Sequence, residues 1–291
     1  MATLNPRTGL RETWNEKLKV PVVHQRSLGG LKFTGQVTAI HTVPLRSGLT
    51  LDFYARLGRA DELFVTFHGA IPDGKDAYPR FERVASLRSK TEASIAFADP
   101  TLPADPAGGM RLAWYLGGHE WDPMPSILQA VARSHGKSGA KHVAFIGGSG
   151  GGFAALRASA QVPGSMAFIQ DPQTRVLAYH PGPVGRYFAA MWPGQDMEVV
   201  ASSHAERFDM AAHYCSHRPD NFVYYAQNST DREHVTSHYQ PFKEATAGQE
   251  GRVFSLYKGA NRGHGKITPA EFDEHFAHAS RQWREFRASR A

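Results

Sequence analysis

The chain has 291 residues, of which 41% are hydrophobic, and it carries a formal net charge of +6 with a pI near 9.4. This length allows one large buried core, with room for a small cap. The single cysteine, Cys215, excludes an internal disulfide bond. No stretch approaches the roughly 18 uninterrupted apolar residues of a membrane helix, so we expect no membrane span.

The charge distribution indicates which partners to expect, and the N-terminal residues indicate the cellular location. Lysines and arginines are scattered and no nucleic-acid-binding motif is present, so the basic pI predicts an ordinary basic surface and no nucleic-acid partner. Residues 1–8 lack a charged segment followed by an apolar one, so we see no secretory signal and expect a cytoplasmic protein. An exported protein from which a signal has been removed would show the same features. The oligomeric state stays open.

The predicted secondary structure begins with two segments rich in Thr, Val, Phe and Tyr, which favour an antiparallel pair of strands at 31–41 and 49–57. From residue 62 onward, short apolar runs alternate with amphipathic stretches, as is typical of an α/β fold with a mostly parallel sheet flanked by helices. Further strands are predicted at 63–67, 93–98, 142–146, 166–170, 221–226 and 253–257. Helices are predicted at 78–89, 123–134, 151–160 and 269–287.

The alternation stops at 172–220, a segment rich in proline and aromatic residues. It is too long for an ordinary connection. We therefore predict a helical cap inserted there, after the sixth predicted strand, with 1–171 and 221–291 forming the core domain. The alternative is a set of irregular surface helices with no role in substrate binding.

The run Gly-Gly-Ser-Gly-Gly at 147–151 places Ser149 in the pattern Gly-x-Ser-x-Gly. The pattern alone is weak, but here it follows a predicted strand and opens an alanine-rich helix, the setting of a nucleophile elbow. Such a turn excludes side chains beside the serine and holds its hydroxyl near a helix N-terminus. The alternative is a phosphate-binding loop. No lysine follows the glycines and no Gly-x-Gly-x-x-Gly occurs near the start of the fold, so we expect no cofactor.

A nucleophilic serine needs a base, and the base needs an orienting carboxylate. His264 lies in a glycine-bounded loop between the last predicted strand and the last helix, where the base of this fold belongs. Asp231 lies in the loop after the preceding strand and is the favoured acid. Glu233 is a weaker alternative, because we expect it in the first turn of the following helix, and Asp171 is another alternative, because it follows the strand at 166–170.

Two backbone N–H groups would form the oxyanion hole. One belongs to Gly150, the residue after the nucleophile. The other comes from the loop after the strand at 63–67, and we assign it to Ala70, with Ile71 as the open alternative. Gly69 would let the backbone approach closely, and His68 would support the loop.

These loops occur in the order that is usual for one superfamily. With His-Gly at 68–69, Gly-x-Ser-x-Gly, Asp231 and His264 in sequence, the chain resembles the α/β-hydrolase superfamily from about residue 62 to the C-terminus. The resemblance implies the fold, the triad Ser149-Asp231-His264 and an acyl-enzyme intermediate. It implies no substrate, because the superfamily includes esterases, lipases, thioesterases, peptidases, acyltransferases and non-catalytic members.

Four further residues are candidates for substrate binding: His68, Trp114, His234 and His238. The two last histidines are four apart on a predicted helix and share a face that we expect at the rim of the site. Trp114 either lines the substrate cleft or packs in the core. A second group contains His204, His213, Cys215 and His217. His-Glu-x-x-His is absent, and we predict no metal site.

Together these features predict a serine hydrolase that cleaves an ester or related acyl bond of a small molecule or glycoconjugate. An acyl or glycosyl-ester transferase with the same triad is one alternative. A non-catalytic binding protein of the same fold is another. The segment 170–174, Gln-Asp-Pro-Gln-Thr, is distinctive but has no assigned role.

Overall fold

In a computed structural model, which describes residues 2–33, 38–45, 48–72, 77–265 and 267–290, a single mixed sheet runs through the molecule. Its eleven strands in the described part of the chain are β1 Thr3–Leu4, β2 Arg11–Asn15, β3 Val20–His24, β4 Thr38–Pro44, β5 Thr50–Leu57, β6 Glu62–Phe67, β7 Ala93–Phe97, β8 His142–Gly148, β9 Met166–Gln170, β10 Phe222–Asn228 and β11 Arg252–Tyr257. The spatial order is β1-β2-β3-β4-β5-β7-β6-β8-β9-β10-β11. From β7 to β11 every neighbouring pair in this order is parallel.

Helices connect and cover the strands. They are α1 Val84–Leu87, α2 Met124–Ser138, α3 Gly150–Ser159, α4 Pro181–Met191, α5 Met197–Ser203, α6 Ala205–Phe208, α7 Met210–His217, α8 Arg232–His234, α9 Gln240–Ala245 and α10 Pro269–Ala288. A π-helical stretch, Val235–Tyr239, joins α8 to α9. None of the described helices combines the length and apolar composition needed to cross a membrane.

The central strands are buried on both faces because their apolar side chains alternate between two cores. In β8, Val143 and Phe145 belong to the core on one face, whereas Ala144 and Ile146 belong to the core on the other. The alanine-rich α3 packs on the first face. The long helix α10 covers the second face with Phe272, Phe276 and Trp283. The predicted α/β fold is confirmed.

The leading part of the sheet differs from the prediction. β4 and β5 form the expected antiparallel pair, with Thr38 opposite Arg56 and Pro44 opposite Thr50. Residues 31–33 are not in a strand, and 34–37 lie outside the described residues. Three additional strands, β1 to β3, extend this edge, so the strand predicted as the sixth is the ninth.

The predicted helix at 78–89 is wrong over most of its length. Only Val84–Leu87 is helical. Arg83, directly before it, has a φ of 60°, which belongs to the left-handed region and cannot continue a right-handed helix. The remaining predicted strands and helices from residue 62 onward are present, with bounds that differ by a few residues.

The segment 172–220 carries four helices, α4 to α7, between β9 and β10. Their apolar side chains, including Tyr187, Phe188 and Tyr214, join the same core as α3 and the central strands. The segment therefore packs firmly on the sheet. Its action as a cap over a substrate stays a prediction.

Candidate active site

Ser149 occupies a strained turn between β8 and α3. Its φ of 55° and ψ of −128° lie outside the regions that non-glycine residues ordinarily adopt. The neighbouring glycines are needed for space. A Cβ on Gly147 would lie 2.1 Å from the carbonyl oxygen of Gly151, and one on Gly151 would lie 2.3 Å from that of Phe67. This is the geometry of a nucleophile elbow, with the serine held at the C-terminal edge of the sheet.

The three residues of the predicted triad lie in hydrogen-bond contact. His264 Nε2 lies 3.0 Å from Ser149 Oγ, and His264 Nδ1 lies 3.0 Å from Asp231 Oδ2. A carboxylate can only accept, so the imidazole Nδ1–H donates to Asp231 and Nε2 is left to accept the serine hydroxyl. Asp231 is the N-cap of α8, in the loop that follows β10. His264 lies in the loop between β11 and α10.

Asp231 is held as a carboxylate. Burial alone would raise its pKa, but hydrogen bonds from His234 and His264 outweigh burial and hold that pKa well below its ordinary value. The Asp231 side chain is 7% exposed, whereas that of His264 is 34% exposed. A buried carboxylate thus faces an imidazole that solvent can reach.

A second histidine shares the same carboxylate oxygen. His234 Nδ1 lies 3.0 Å from Asp231 Oδ2, and its ring stacks on that of His264 with centroids 4.1 Å apart and an interplanar angle of 16°. Burial lowers the pKa of His234. This shift favours the neutral imidazole, and the contact of Nδ1 with the Asp231 carboxylate places the proton on Nδ1.

A glutamine completes the immediate surroundings of the serine. Gln173 Nε2 donates to Ser149 Oγ over 2.8 Å, and it lies 3.2 Å from His234 Nε2. Gln173 Oε1 accepts a 3.1 Å hydrogen bond from Trp114 Nε1. The backbone places this side chain, because Gln173 N–H also donates to the Ser149 carbonyl over 3.2 Å.

The loop after β6 and the first residue of α3, which carry the two predicted oxyanion donors, both lie next to Ser149. Gly150 is the first residue of α3, so its N–H has no partner within that helix. A Cβ on Gly69 would lie only 3.2 Å from that of Ser149, which shows how closely the loop after β6 approaches. The Ile71 N–H donates to the Arg111 carbonyl over 2.9 Å. Of the two candidates in this loop, Ala70 is thus the one favoured by geometry.

The alternative acids have other partners. Asp171 Oδ1 accepts hydrogen bonds from the Asn228 N–H at 2.6 Å and from Gln227 Nε2 at 2.9 Å. Burial raises the pKa of Asp171 to about 6. Glu233 pairs with His180 over 3.2 Å. Neither carboxylate is hydrogen-bonded to His264, so the geometry favours Asp231.

The four predicted substrate-binding side chains do not face the cavity, so a direct contact with substrate stays a prediction. All four are buried: His68 is 2% exposed, Trp114 0%, His234 1% and His238 1%. None of them lines the cavity above Ser149. His68 Nε2 accepts from the Asp99 N–H at 3.0 Å, so it supports the loop after β6. The helix face that carries His234 and His238 packs on the side of the site away from the cavity. Its side chains support neighbouring residues of the site.

The cavity above Ser149 has a volume of about 340 Å³. Its walls include Ala70, Arg80, Glu82, Arg83, Asp171, Tyr179 and His264. Arg80 and Glu82 form an ion pair, and Arg83 Nη2 donates to Gln170 Oε1 over 2.7 Å. The cavity therefore combines charged and aromatic walls with direct access to the serine.

The second group of histidines lies on α7 and next to α6, with His204 and His217 exposed and His213 half-buried. His213 and His217 stack with centroids 4.6 Å apart, and Glu206 lies within 3.3 Å of His217. Cys215 is exposed. Among the described residues that line the Ser149 cavity, none belongs to this group.

Comparison with solved structures identifies the fold. The chain is similar to the capsule O-acetyltransferase of Neisseria meningitidis serogroup A, with 17% identity and a TM-score of 0.56 over 82% of this chain and 94% of that one. It is similar to the acetyl xylan esterase from Paenibacillus sp. R4, with 17% identity and a TM-score of 0.57 over 86% of each chain. It is also similar to an S-formylglutathione hydrolase from Agrobacterium tumefaciens, with 12% identity and a TM-score of 0.60 over 86% of this chain and 97% of that one.

No protein-family model and no curated protein sequence matches the chain. The structural neighbours are α/β-hydrolase-type enzymes, and the chain has the α/β-hydrolase fold.

Proposed function

We propose that this protein is a serine hydrolase that cleaves an ester or related acyl bond. The observation that carries the proposal is the chain of hydrogen bonds from Ser149 through His264 to Asp231, set on an elbow at the edge of an α/β-hydrolase sheet. The nucleophile, the base and the orienting carboxylate are all within direct contact, as acyl transfer requires.

The reaction follows from this geometry. Ser149 Oγ attacks the acyl carbon while its proton passes to His264 Nε2, and the carbonyl electron pair moves onto the oxygen. The N–H groups of Gly150 and Ala70 are the proposed donors to that oxyanion. The His264 imidazolium, stabilised by Asp231, then protonates the leaving group. Water enters, gives its proton to His264 and attacks the acyl-enzyme, which releases the acid and restores Ser149.

We further propose that the acyl group is small and that 172–220 helps to enclose it. Two of the structural neighbours are, by name, an acetyltransferase and an acetyl esterase, so an acetyl ester is the first substrate to test. Tyr179, from this segment, lines the cavity.

The test uses p-nitrophenyl esters of increasing acyl length, with wild type and Ser149→Ala. We expect hydrolysis by the wild type, fastest with the shortest acyl chains, and loss of activity in the variant to the background rate. Ser149→Ala with wild-type turnover would refute the proposal. A folded wild type that cleaves no ester and transfers no acyl group would instead favour a non-catalytic binding protein.

A transferase is the second candidate, since one structural neighbour is a capsule O-acetyltransferase. The triad forms the same acyl-enzyme, and an alcohol then replaces water as the attacking group. The two reactions are separated by measuring p-nitrophenol and free acetate from p-nitrophenyl acetate with a sugar alcohol present. Hydrolysis releases the two in equal amounts, whereas transfer releases more p-nitrophenol than acetate.

A further inference from the structure

We propose that Gln173 is a further catalytic residue of this site, which donates a hydrogen bond to Ser149 Oγ throughout acyl transfer, and that Trp114 and His234 are its positioning residues. The inference rests on the proposed function. It assigns a role to the distinctive segment at 170–174, which the triad alone leaves unexplained.

The orientation of the Gln173 amide is fixed by its neighbours. The indole N–H of Trp114 can only donate, so the glutamine atom 3.1 Å from it must be the oxygen. The amide nitrogen therefore faces Ser149 Oγ, 2.8 Å away. Gln173 and Trp114 are both 0% exposed, so water cannot take the place of either partner.

His234 accepts a hydrogen bond from the second N–H of the Gln173 amide. Its Nδ1–H donates to Asp231 Oδ2, which leaves an unprotonated Nε2 at 3.2 Å from Gln173 Nε2. One glutamine N–H thus bonds Ser149, and the other bonds His234. Every donor and acceptor in this arrangement has one consistent direction.

The contacts close into a ring of hydrogen bonds. Ser149 donates to His264, which donates to Asp231; Gln173 donates to both Ser149 and His234, and His234 donates to Asp231. Ser149 Oγ is therefore connected to the Asp231 carboxylate by two routes, one through His264 and one through Gln173 and His234. Because each member is held by two others, the serine hydroxyl has one preferred rotamer before substrate arrives.

This ring has a consequence for the attacking oxygen. Ser149 Oγ has four tetrahedral positions: one is bonded to Cβ, one carries the proton toward His264, and one accepts from Gln173. A single lone pair is left for the acyl carbon, on an atom that lines the cavity. As negative charge develops on Oγ during attack, and again when Oγ departs in deacylation, the buried amide N–H stabilises it without itself being protonated or deprotonated.

Gln173→Met is the variant that tests this, because methionine keeps the volume and removes both donors. We expect kcat for p-nitrophenyl acetate to fall about 10- to 100-fold, the effect of losing a hydrogen bond to a charged oxygen, with KM within about threefold of wild type. The rate of Ser149 labelling by a fluorophosphonate should fall in parallel.

The matched control is Gln25→Met. Gln25 is also a buried glutamine, 5% exposed, with hydrogen bonds to Lys32 and to His41, but it lies at the end of β3, away from the cavity. This variant should keep wild-type kcat and show only a loss of stability.

His234 is tested through the shape of the pH–rate profile. His234→Phe removes a hydrogen bond from Asp231, which leaves a more basic carboxylate beside His264. The acid limb of kcat/KM should move to higher pH, and His234→Asn, which can still donate to Asp231, should move it less. A purely structural role would lower the amount of folded protein without moving the profile.

The outcomes are separable from those of the proposed function. Folded Gln173→Met with wild-type kcat and labelling rate overturns the role of Gln173, while an inactive Ser149→Ala leaves the hydrolase proposal standing. Hydrolysis that survives Ser149→Ala overturns both. If Gln173→Met does not fold, Trp114→Phe tests the same bond, since it frees the amide to rotate: reduced kcat at constant KM supports the inference, and unchanged kcat overturns it.

Discussion

Replacing Gly151 by alanine would push the elbow away from the strand behind it. The new Cβ would lie 2.3 Å from the carbonyl oxygen of Phe67 and 2.8 Å from its carbonyl carbon, both backbone atoms that cannot rotate away. A contact of at least 3.0 Å requires the start of α3 to move by about 0.7 Å. Overpacking of this kind destabilises a fold by roughly 1–3 kcal/mol.

The displacement also separates Ser149 from the loop that carries Gly69 and Ala70. Since a misplacement of about 1 Å lowers turnover on the order of 100-fold, we expect Gly151→Ala to lose about 10- to 100-fold in kcat/KM. Urea unfolding and p-nitrophenyl acetate kinetics measure the two effects.

The control is Gly136→Ala in α2, where the added Cβ meets no atom within 4 Å. Alanine at this helical position should stabilise the protein by about 0.5–1 kcal/mol and leave kcat/KM unchanged. Gly151→Ala with wild-type stability and activity would show that the elbow is not closely packed on β6 and would refute the reasoning.

Three further predictions follow from single contacts. Asp231→Asn should lower kcat by roughly 10³- to 10⁴-fold with the fold intact, because the amide no longer holds the His264 tautomer; turnover near wild type would contradict this. Burial raises the pKa of Asp171 from 3.8 to about 6, so the ionised form opposes folding and stability falls as pH rises through this window. In urea unfolding, the free energy of unfolding of Asp171→Asn relative to wild type should therefore increase by up to about 3 kcal/mol from pH 4 to pH 8. An equal difference between variant and wild type at both pH values would count against this prediction. Trp283→Ala, at a 0% exposed residue, should cost about 3–5 kcal/mol, whereas Trp14→Ala, at a 54% exposed residue, should have little effect; similar losses would be inconsistent with the two-sided core.

Much of the fold follows from the sequence because the central strands are buried on both faces. A run such as 143–146, which is apolar throughout, is typical of a strand covered on both faces, and amphipathic helices are predicted between such runs. The edge strands β1 to β3 lack this signal. They are short, partly exposed and include Trp14 and Pro21, so their pairing depends on the sheet already being present.

The triad positions could be predicted because each follows a strand whose end lies at the same edge of the sheet. Ser149 and Asp231 are separated by 82 positions in the chain (231 − 149), and Asp231 and His264 by 33 (264 − 231), yet the three residues meet at this edge. The positions of the buried supports could not be predicted. The direction of the Gln173 side chain depends on the path of the chain after β9, where Asp171 has a φ of 41° and the Gln173 N–H donates to the Ser149 carbonyl. A glutamine carries no chemical signature that distinguishes this role from ordinary packing.

The most direct test of the central claim is the site of covalent reaction with a fluorophosphonate. Intact-mass and peptide mapping of the wild type should show one adduct, on Ser149, and His264→Ala should slow its formation by several orders of magnitude. Ester hydrolysis by the wild type with no adduct on Ser149, or labelling that is as fast in His264→Ala as in the wild type, would contradict the proposal that Ser149 is the activated nucleophile.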